Sequence, residues 1–522
     1  MKGAIAAGHP LTAQAGARIL EEGGNAVDAC IAAGFVSWVA ESPLTGPGGG
    51  GFMLVHRARD RSDRLLDFFV AIPGRGLAPG EGPGEMVSIL VPFDEQTTQL
   101  FRIGAAACAV PGAVAGLGEA HGRYARLPWS ELLAPAVEAA RGGVELNAAQ
   151  AFLHEILDVA LRAEDEGRLI YGRDRPLVEG DRLVMADLAD TLEWLAAEGP
   201  EVFYRGELAR RIVEAVRSTG GRITADDLAD YRVIRRRPVR APYRGFEFVS
   251  NPPPSAGGIL IAFALRVLER LGPLPPPGSP EAIAALAQVM QESARARQGA
   301  FSSGLHRGGE AGRLLAEERV RAAAEAAKER LYAAVAEPAG APSTTHISAV
   351  DAAGNAASLS ASTGCGSGLV VPGTGVQLNN MLGEHDLVPE GRALGVGRRL
   401  TSMMAPSVVL AGREPRLVVG SAGSIRLRAA ILQIVVNVLD HGLHVPEAVA
   451  APRVHLEEDV LQLEGGIGVE AAEQLEGWGY PVTCWADLNL YFGGAAAVVA
   501  REDGGLEAAG DPRRGGAGVV VG

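Results

Sequence analysis

Apolar and polar residues follow one another along the chain in patterns that predict both helices and strands. Apolar residues at helical spacing predict a helix over 12–22, ended by Gly23-Gly24-Asn25, and a second, more buried helix over 26–39. Further helices are predicted over 127–140, 148–164, 203–219, 259–271, 311–335 and 424–440. Strands are predicted over 52–56, 65–70, 246–249, 344–351, 356–362, 401–410, 417–420 and 495–500, and around 239 and 482. This alternation indicates a mixed α and β class.

Two of these strands form a predicted hairpin in the second half of the chain. The strands 344–351 and 356–362 are separated by a turn-forming sequence at 352–355, and a turn-rich run over 337–343 precedes them. The loop therefore delivers Thr344 to the start of a core hairpin.

The composition is that of a folded, acidic protein. The 522 residues are 47% hydrophobic and 21% charged, enough for two or more domain-sized units or one large enzyme domain. The net charge of −14, from 48 basic and 62 acidic residues, argues against a nucleic-acid-binding protein. The one basic run, Arg235-Arg236-Arg237, is expected on a solvated strand edge.

No apolar run in the sequence reaches the length needed to cross a membrane. The first ten residues lack the apolar core of a signal peptide, so we expect the chain to stay in the cytoplasm and to have no membrane partner. Four widely spaced cysteines, none in a Cys-x-x-Cys pair, are each expected to be buried and structural.

Two short motifs could suggest ligand sites, and each has a plainer explanation. The glycine cluster at 46–51 lacks the Gly-Lys-Ser/Thr ending of a phosphate-binding loop and leads into a strand, so it indicates tightly packed backbone. His441 and His444 have the spacing for a metal pair but follow a predicted helix end, where the helix dipole alone favours histidine. We therefore expect no metal.

Thr344 is a candidate nucleophile. If the chain were cut before it, the new α-amino group would sit beside the Thr344 hydroxyl, and an amine with a pKa of about 8 can act as base for that hydroxyl. The plainer interpretation is that threonine suits the start of any strand.

Two further stretches carry candidate chemistry. The turn from Gly420 to Ser424 lies between a predicted strand and a predicted helix, where backbone N–H groups can bind an oxyanion. Thr401 and Ser402 place two hydroxyls before an apolar strand. Alone they indicate a turn with satisfied hydroxyls, and together with the Thr344 hairpin they make a candidate substrate-anchoring loop.

These motifs together resemble the γ-glutamyltranspeptidases. The resemblance spans nearly the whole chain, and its motifs occur in the family's order. It rests on Glu22–Ala29, Gly48–Met53, Val110-Pro111-Gly112, Pro252–Gly258, Thr344-Thr345-His346, Gly354-Asn355-Ala356, Gly366-Ser367-Gly368, Leu378-Asn379-Asn380, Thr401-Ser402-Met403 and Gly420-Ser421-x-Gly423.

The resemblance implies an α+β fold, a four-layer αββα sandwich of the N-terminal nucleophile hydrolase type. It implies self-cleavage between Ser343 and Thr344, which gives a large subunit, 1–343, and a small subunit, 344–522, that stay together as a heterodimer within one αββα unit. Thr344 is then the nucleophile for both the cut and acyl transfer.

The resemblance also assigns roles to other residues by position. Ser362 matches a threonine near the amine of the nucleophile, and Gly423 and Ser424 match the pair that forms the oxyanion hole. Thr401 and Ser402 match hydroxyls that hold a glutamyl α-carboxylate, and Glu384 matches the acid that receives the substrate α-amino group.

Several departures from the family pattern affect the substrate pocket. Phe69 stands where the family has an arginine that clamps the α-carboxylate, and a ring cannot replace a bidentate cation. Arg75 lies nearby in sequence. The segment 360–366 is about two residues shorter than in the classical enzymes, and Met381 replaces a polar contact residue. The catalytic machinery is thus expected to be intact and the glutamate pocket altered.

The leading hypothesis is a self-processing γ-glutamyltransferase or hydrolase that passes an acyl group from Thr344 to water or an amine, with no cofactor. Its partners are a small amide and its own cleaved fragment. One alternative is an acylase on a non-glutamyl amide, like the cephalosporin and glutaryl acylases. The other is a non-catalytic, unprocessed homologue that acts as a binding protein.

Overall fold

The computed structural model describes residues 2–78, 81–82, 84–92, 98–331, 344–384, 387, 395–457 and 459–522. The strands are β1 (Gly3–Ala7), β2 (Gly50–Arg57), β3 (Ser62–Phe68), β4 (Val87–Pro92), β5 (Thr98–Ile103), β6 (Val144–Glu145), β7 (Arg182–Leu183), β8 (Ile234–Arg236), β9 (Val239–Tyr243), β10 (Phe246–Ser250), β11 (Thr345–Asp351), β12 (Ala356–Ser362), β13 (Val370–Val371), β14 (Val376–Gln377), β15 (Ser407–Ala411), β16 (Glu414–Ala422), β17 (Val454–Glu457), β18 (Val460–Leu463), β19 (Val482–Cys484), β20 (Gly494–Ala500), β21 (Leu506–Gly510) and β22 (Ala517–Val521).

The α-helices follow the same order along the chain. They are α1 (Pro10–Glu21), α2 (Ala26–Ala40), α3 (Ala113–Tyr124), α4 (Trp129–Gly142), α5 (Ala148–Ile156), α6 (Asp158–Leu161), α7 (Asp165–Tyr171), α8 (Ala186–Glu198), α9 (Glu207–Ser218), α10 (Ala225–Ala229), α11 (Gly257–Leu271), α12 (Pro280–Ala296), α13 (Phe301–Arg307), α14 (Glu310–Leu314), α15 (Glu317–Glu329), α16 (Arg426–Leu439), α17 (Val445–Ala450) and α18 (Val469–Gly477).

Two antiparallel sheets stack face to face at the centre of the molecule. The first has seven strands in the order β22-β1-β11-β12-β2-β3-β8, and the second has six in the order β21-β20-β16-β15-β10-β9. Helices α1, α2 and α3 cover the outer face of the first sheet, with α4 packed on α2, and α11 and α16 cover the outer face of the second sheet. These four layers confirm the predicted α+β class and the αββα sandwich.

Side-chain alternation along single strands explains the layering. In β1, Ala4 and Ala6 lie in the core between the sheets, whereas Ile5 and Ala7 pack against the helices. In the second sheet Val418 lies between the sheets, and its neighbours in β16 pack against the helices. Because both faces of the first sheet are covered, its central strands β11 and β12 are buried along their whole length.

The predicted hairpin is confirmed, and it occupies the middle of the first sheet. β11 and β12 pair from Thr345↔Ala361 to Val350↔Ala356, and β12 pairs in turn with β2. On its other side β11 pairs with β1, from Ala7↔Ile347 to Gly3↔Asp351. The N-terminal strand β1 was not predicted, because its run of five residues is too short and too rich in alanine to give a strand pattern.

Other predicted elements differ from the structure in identifiable ways. The strand predicted over 401–410 is regular only from Ser407, since the preceding residues form an extended loop tied to Ser255. The helix predicted over 148–164 is broken into α5 and α6, and that over 311–335 is broken into α14 and α15. The last residues of the latter lie outside the described residues, and α12 was missed altogether.

The glycine cluster packs as predicted. A Cβ atom at Gly48, Gly49 or Gly51 would overlap a backbone carbonyl oxygen of a neighbouring segment, those of Gln377, Ser362 and Ser360 respectively. Only glycine therefore allows β2 and the preceding loop to approach β12 and β14 so closely.

The predicted place of the arginine run at 235–237 is confirmed, since the run begins on β8, the edge strand of the first sheet.

The burial predicted for the four cysteines is confirmed for three of them. Cys30, Cys108 and Cys365 are buried as predicted, but the prediction for Cys484 was wrong: it is exposed, because it ends β19 at a sheet edge. Across the described ranges, no helix has both the length and the apolarity needed to cross a membrane.

Candidate active site

Thr344 lies immediately before β11, at the end of the two-sheet sandwich. Because Thr345 pairs with Ala361, Thr344 lies beside Ser362, the last residue of β12. Thr344 is 4% exposed and Ser362 is 2% exposed. The hairpin thus brings the candidate nucleophile and its candidate hydroxyl partner together; Ser343 lies outside the described residues.

A small pocket surrounds Thr344 and contains most of the predicted site residues. Ser362, Glu384, Ser402 and Ser424 all line it. The other described lining residues are apolar, and they are Phe69, Met381, Leu387, Met403, Met404 and Leu427. Thr401 and Gly423 are each next in sequence to a lining residue without lining the pocket themselves.

The hydroxyls at the pocket are fixed by nearby backbone. Ser362 Oγ accepts the N–H of Gly364 at 2.8 Å, and Ser402 Oγ accepts the N–H of Met404 at 3.0 Å. Thr401 Oγ1 instead donates to the carbonyl of Leu387 at 3.3 Å. Of the two predicted anchoring hydroxyls, Ser402 therefore faces the pocket and Thr401 fastens the loop behind it.

The candidate oxyanion turn connects β16 to α16. Gly423 has φ +117° and Ser424 has φ +49°, and α16 begins two residues later at Arg426. A φ of +49° is uncommon for serine and is retained only where the surroundings impose it. The amino end of a 14-residue helix behind these residues gives their N–H groups a positive environment suited to an oxyanion.

A buried pair of opposite charges lies beneath the first residues of β11. Arg514 donates to the backbone carbonyl of Thr344, and Glu41 accepts from the hydroxyls of Thr345 and Thr12. Burial lowers the pKa of Arg514 to about 10, opposed by the charges of Glu41 and Asp511, and burial raises the pKa of Glu41.

Glycines on either side make room for this pair. A Cβ at Gly8 would overlap the carboxylate of Glu41, and a Cβ at Gly494 would overlap the side chain of Arg514. The space for these two charges is therefore built into both β20 and the loop after β1.

A second set of buried charges connects the turn at 511–514, near the C-terminus, to the candidate oxyanion turn. Arg453 pairs with Asp511 at 2.6 Å and donates to the carbonyl of Gly493 at 3.4 Å, and Arg513 pairs with Asp511 and Glu464. Gly493 packs against Gly423: a Cβ added to Gly423 would lie 3.0 Å from the Cα of Gly493. The turn at 511–514 thus supports the candidate nucleophile through Arg514 and the candidate oxyanion hole through Asp511 and Arg453.

His346 is a structural histidine between the two sheets. Its Nδ1 lies 2.8 Å from Ser360 Oγ and its Nε2 lies 2.9 Å from Ser348 Oγ, which itself donates to the carbonyl of Ala496. This network assigns the proton to Nε2 and leaves Nδ1 as an acceptor. Burial lowers the pKa of His346 to about 3. His346 is therefore uncharged in the folded protein at neutral pH.

The departures noted in the sequence lie at the pocket. Phe69 lines it, whereas Arg75 does not: Arg75 is directed toward Asp227 and Asp230, at 4.0 and 3.7 Å. Arg399 is also occupied elsewhere, 3.3 Å from Asp67. Neither arginine therefore takes the place of the missing one.

Comparisons with known proteins agree with this geometry. The sequence profile of the family described as Gamma-glutamyltranspeptidase matches residues 12–521. The chain belongs to the γ-glutamyltranspeptidase family.

Its similarity to individual relatives extends over whole chains. The acylase ACY 1 proenzyme of Pseudomonas sp. strain SE83 is 34% identical over 538 residues, 100% of this chain and 94% of that protein. The glutathione hydrolase proenzyme of Escherichia coli K12 is 32% identical over 549 residues, which cover 98% of this chain and 90% of that protein. The crystal structure of cephalosporin acylase from Bacillus halodurans has a TM-score of 0.85 and 26% identity, and the match covers 99% and 95% of the chains.

This γ-glutamyltranspeptidase-family protein is a self-processing amidohydrolase with an N-terminal nucleophile. Family members act on small amides and are processed into two-chain heterodimers. The non-catalytic alternative therefore loses its basis, while acylases and glutathione hydrolases both remain among the relatives.

Sequence reasoning missed Glu41 and Arg514. The signal for Arg514 was an Asp-Pro-Arg-Arg run at 511–514 in an otherwise small and apolar stretch, which is an unusual place for charge. Glu41 follows a wholly buried helix and precedes the glycine cluster, so its burial could have been suspected. Nothing in the sequence showed that the two would meet.

Proposed function

We propose that Thr344 is the nucleophile of this enzyme, first for cleavage of its own chain and then for cleavage of an amide substrate. The observation that supports this most directly is the position of Thr344 at the start of β11, in one pocket with Ser362, Ser402 and Ser424. The cut falls between Ser343 and Thr344 and gives the subunits 1–343 and 344–522.

The sheet pairing explains why the two subunits would stay together. In the first sheet β1, β2, β3 and β8 come from the large subunit and β11, β12 and β22 from the small one, and the pairs β1·β11 and β12·β2 cross between them. Each of these pairs is five or more residues long and buried on both faces. In the second sheet β10 of the large subunit pairs with β15 of the small one, so separation of the subunits would break both sheets.

In the self-cleavage step, Thr344 Oγ adds to the carbonyl carbon of Ser343 and the C–N bond to Thr344 breaks. The nitrogen keeps its proton, gains that of the hydroxyl and becomes the free α-amine. Water then hydrolyses the resulting ester, which leaves a carboxylate on Ser343 and restores the Thr344 hydroxyl.

In the substrate reaction the freed amine acts as base for the same hydroxyl. Oγ adds to the amide carbonyl, the C–N bond breaks and the leaving amine takes the proton. Water, or a second amine, then takes the acyl group from Thr344. In this scheme the N–H groups of Gly423 and Ser424 stabilise the oxyanion, Ser362 holds the α-amine, and Ser402 and Glu384 orient the substrate, with Thr401 supporting Ser402.

The substrate is a small acyl amide, and two kinds are candidates. A γ-glutamyl amide such as glutathione is suggested by the relatives named glutathione hydrolase. An amide without a glutamyl group is suggested by the acylase relatives and favoured by Phe69, which lines the pocket where an α-carboxylate would need a cation.

Intact-mass analysis of the purified protein under denaturing conditions tests the proposal. We expect the wild type to give the masses of 1–343 and 344–522, Thr344→Ala to stay whole, and Thr344→Ser to be cleaved because it keeps the hydroxyl. A Thr344→Ala chain that is cut at the same bond, or a wild type that stays whole after prolonged incubation, would contradict it.

A further inference from the structure

Apolar side chains make up about half of the lining of the pocket around Thr344. Of the described residues that line it, six carry apolar side chains: Phe69, Met381, Leu387, Met403, Met404 and Leu427. Methionine side chains adapt to ligands of irregular shape, and three of the six are methionines. Such walls favour a substrate group that can leave water without losing hydrogen bonds.

Phe69 is held firmly in this wall. It is 1% exposed, and its ring stacks on Phe52 with centroids 5.4 Å apart. Its N–H donates to Asp67 Oδ1 at 3.1 Å, and its carbonyl accepts from the hydroxyl of Tyr231 at 2.8 Å. The ring is therefore a fixed part of the pocket.

Within the described ranges, no lysine, arginine or histidine lines the pocket. The neighbouring arginines face acidic partners outside it. Arg399 lies 3.3 Å from Asp67 and over the ring of Tyr231, and Arg426 lies 3.0 Å from Glu457 and over the ring of Tyr491. Glu384 is the one charged side chain among the described lining residues.

These observations point to a substrate class. We propose that the acyl group transferred by Thr344 has an apolar body and carries no carboxylate. A carboxylate would lose its water beside apolar walls and a second carboxylate, with no lining cation to compensate for the loss. This inference rests on the proposed function, since it concerns the acyl group of the same reaction.

A matched pair of substrates tests the inference directly. Pentanoyl-p-nitroanilide and glutaryl-p-nitroanilide have acyl chains of the same length and differ in a terminal methyl or carboxylate. With the processed enzyme we expect kcat/KM for the pentanoyl substrate to exceed those for the glutaryl and γ-glutamyl substrates by about tenfold or more. From butanoyl to pentanoyl we expect a gain of about fourfold, for one buried methylene.

The outcomes separate this inference from the proposed function. A processed enzyme that prefers glutaryl or γ-glutamyl, or that leaves the pentanoyl substrate intact, overturns the inference and leaves Thr344 as nucleophile. A wild-type chain that is never processed overturns the proposed function itself.

Two variants test whether Phe69 causes the expected preference for an acyl group without a carboxylate. Phe69→Arg supplies the missing cation, and we expect it to raise the ratio of glutaryl to pentanoyl kcat/KM by about tenfold or more. Phe69→Leu keeps the wall apolar and should leave that ratio within about threefold of the wild type. Equal ratios for Phe69→Arg and Phe69→Leu would contradict the inference.

Self-cleavage reports folding in both variants without any substrate. If Phe69→Arg is not processed, inhibition of the wild type replaces it as the test. We expect pentanamide to inhibit with a Ki about tenfold below that of glutarate monoamide, and the reverse order would overturn the inference.

Discussion

Arg514 donates a hydrogen bond to the backbone carbonyl oxygen of Thr344, across 170 residues of sequence. This carbonyl belongs to the residue that carries the candidate nucleophile, so the bond fixes the position from which Oγ attacks. The guanidinium is buried and stands near the buried carboxylate of Glu41, which holds the next residue, Thr345. One buried cation thus contacts the backbone of Thr344, and one buried anion contacts the side chain of the next residue.

Loss of Arg514 should impair self-cleavage. Arg514→Met removes the donor to the Thr344 carbonyl and leaves Glu41 buried without its neighbouring cation. We expect cleavage to slow by about 10²-fold, since a displacement of about 1 Å at a reacting group costs about that much. The rate is measured by intact mass after refolding or rapid purification.

Two further variants make this test specific. Arg413→Met changes an exposed arginine in the turn between β15 and β16 and should cleave at the wild-type rate. Glu41→Gln combined with Arg514→Met removes both charges and should raise the melting temperature above that of Arg514→Met alone. Wild-type cleavage by Arg514→Met would show that the bond does not position Thr344.

The candidate oxyanion turn is tested through one backbone N–H group. Ser424→Gly keeps that group and accommodates φ +49° without strain, so we expect activity within about threefold of the wild type. Ser424→Pro removes the N–H and cannot adopt a positive φ, and should lower kcat/KM by about 10²- to 10³-fold. Equal activity of the two variants would exclude Ser424 from the oxyanion hole.

Close packing between β2 and β12 gives a prediction about folding. A Cβ at Gly51 would overlap the carbonyl oxygen of Ser360, so Gly51→Ala forces the two strands apart next to Ser362. We expect a loss of stability of about 2 kcal/mol or more and little self-cleavage, seen as a lower melting temperature and an intact chain.

The matched control is Gly122→Ala, in helix α3. An added Cβ there meets nothing within 4 Å, and alanine suits a helix better than glycine. This variant should be as stable as the wild type or slightly more so. If Gly51→Ala were equally well tolerated, the close approach would not require glycine.

The sequence predicted well those features that depend on local pattern. The hairpin at 344–362 was predicted because two apolar strands flank a turn sequence, and its register then places Thr344 beside Ser362. The glycine cluster was predicted as tight packing because its motif lacked the residues of a phosphate-binding loop. In both cases neighbouring residues alone carry the information.

Features that depend on distant partners could not be predicted in this way. β1 is a strand because β11 and β22 pair with it on either side, although its own five residues give little indication of this. Glu41 and Arg514 lie near opposite ends of the chain, and their proximity results from the sheet topology. The composition of the pocket wall likewise required the fold, since its lining residues come from distant segments.

Buried histidine makes stability depend on pH. Burial lowers the pKa of His346 to about 3 and those of His9 and His154 to about 4, below the value of 6.5 for an exposed histidine. Between about pH 6.5 and pH 4 the unfolded chain therefore binds protons that the folded protein does not. Stability should be present in full above pH 6.5 and fall as the pH is lowered, by up to about 1.4 kcal/mol per pH unit for each group.

His346→Gln tests the share of one histidine. Glutamine can hydrogen-bond to Ser360 and Ser348 but does not titrate, so the decrease in melting temperature from pH 7 to pH 5 should be smaller than in the wild type. Gly122→Ala, which changes no titratable group, should keep the wild-type decrease. If His346→Gln showed the wild-type decrease as well, the acid sensitivity would have to come from groups other than the ring between the sheets.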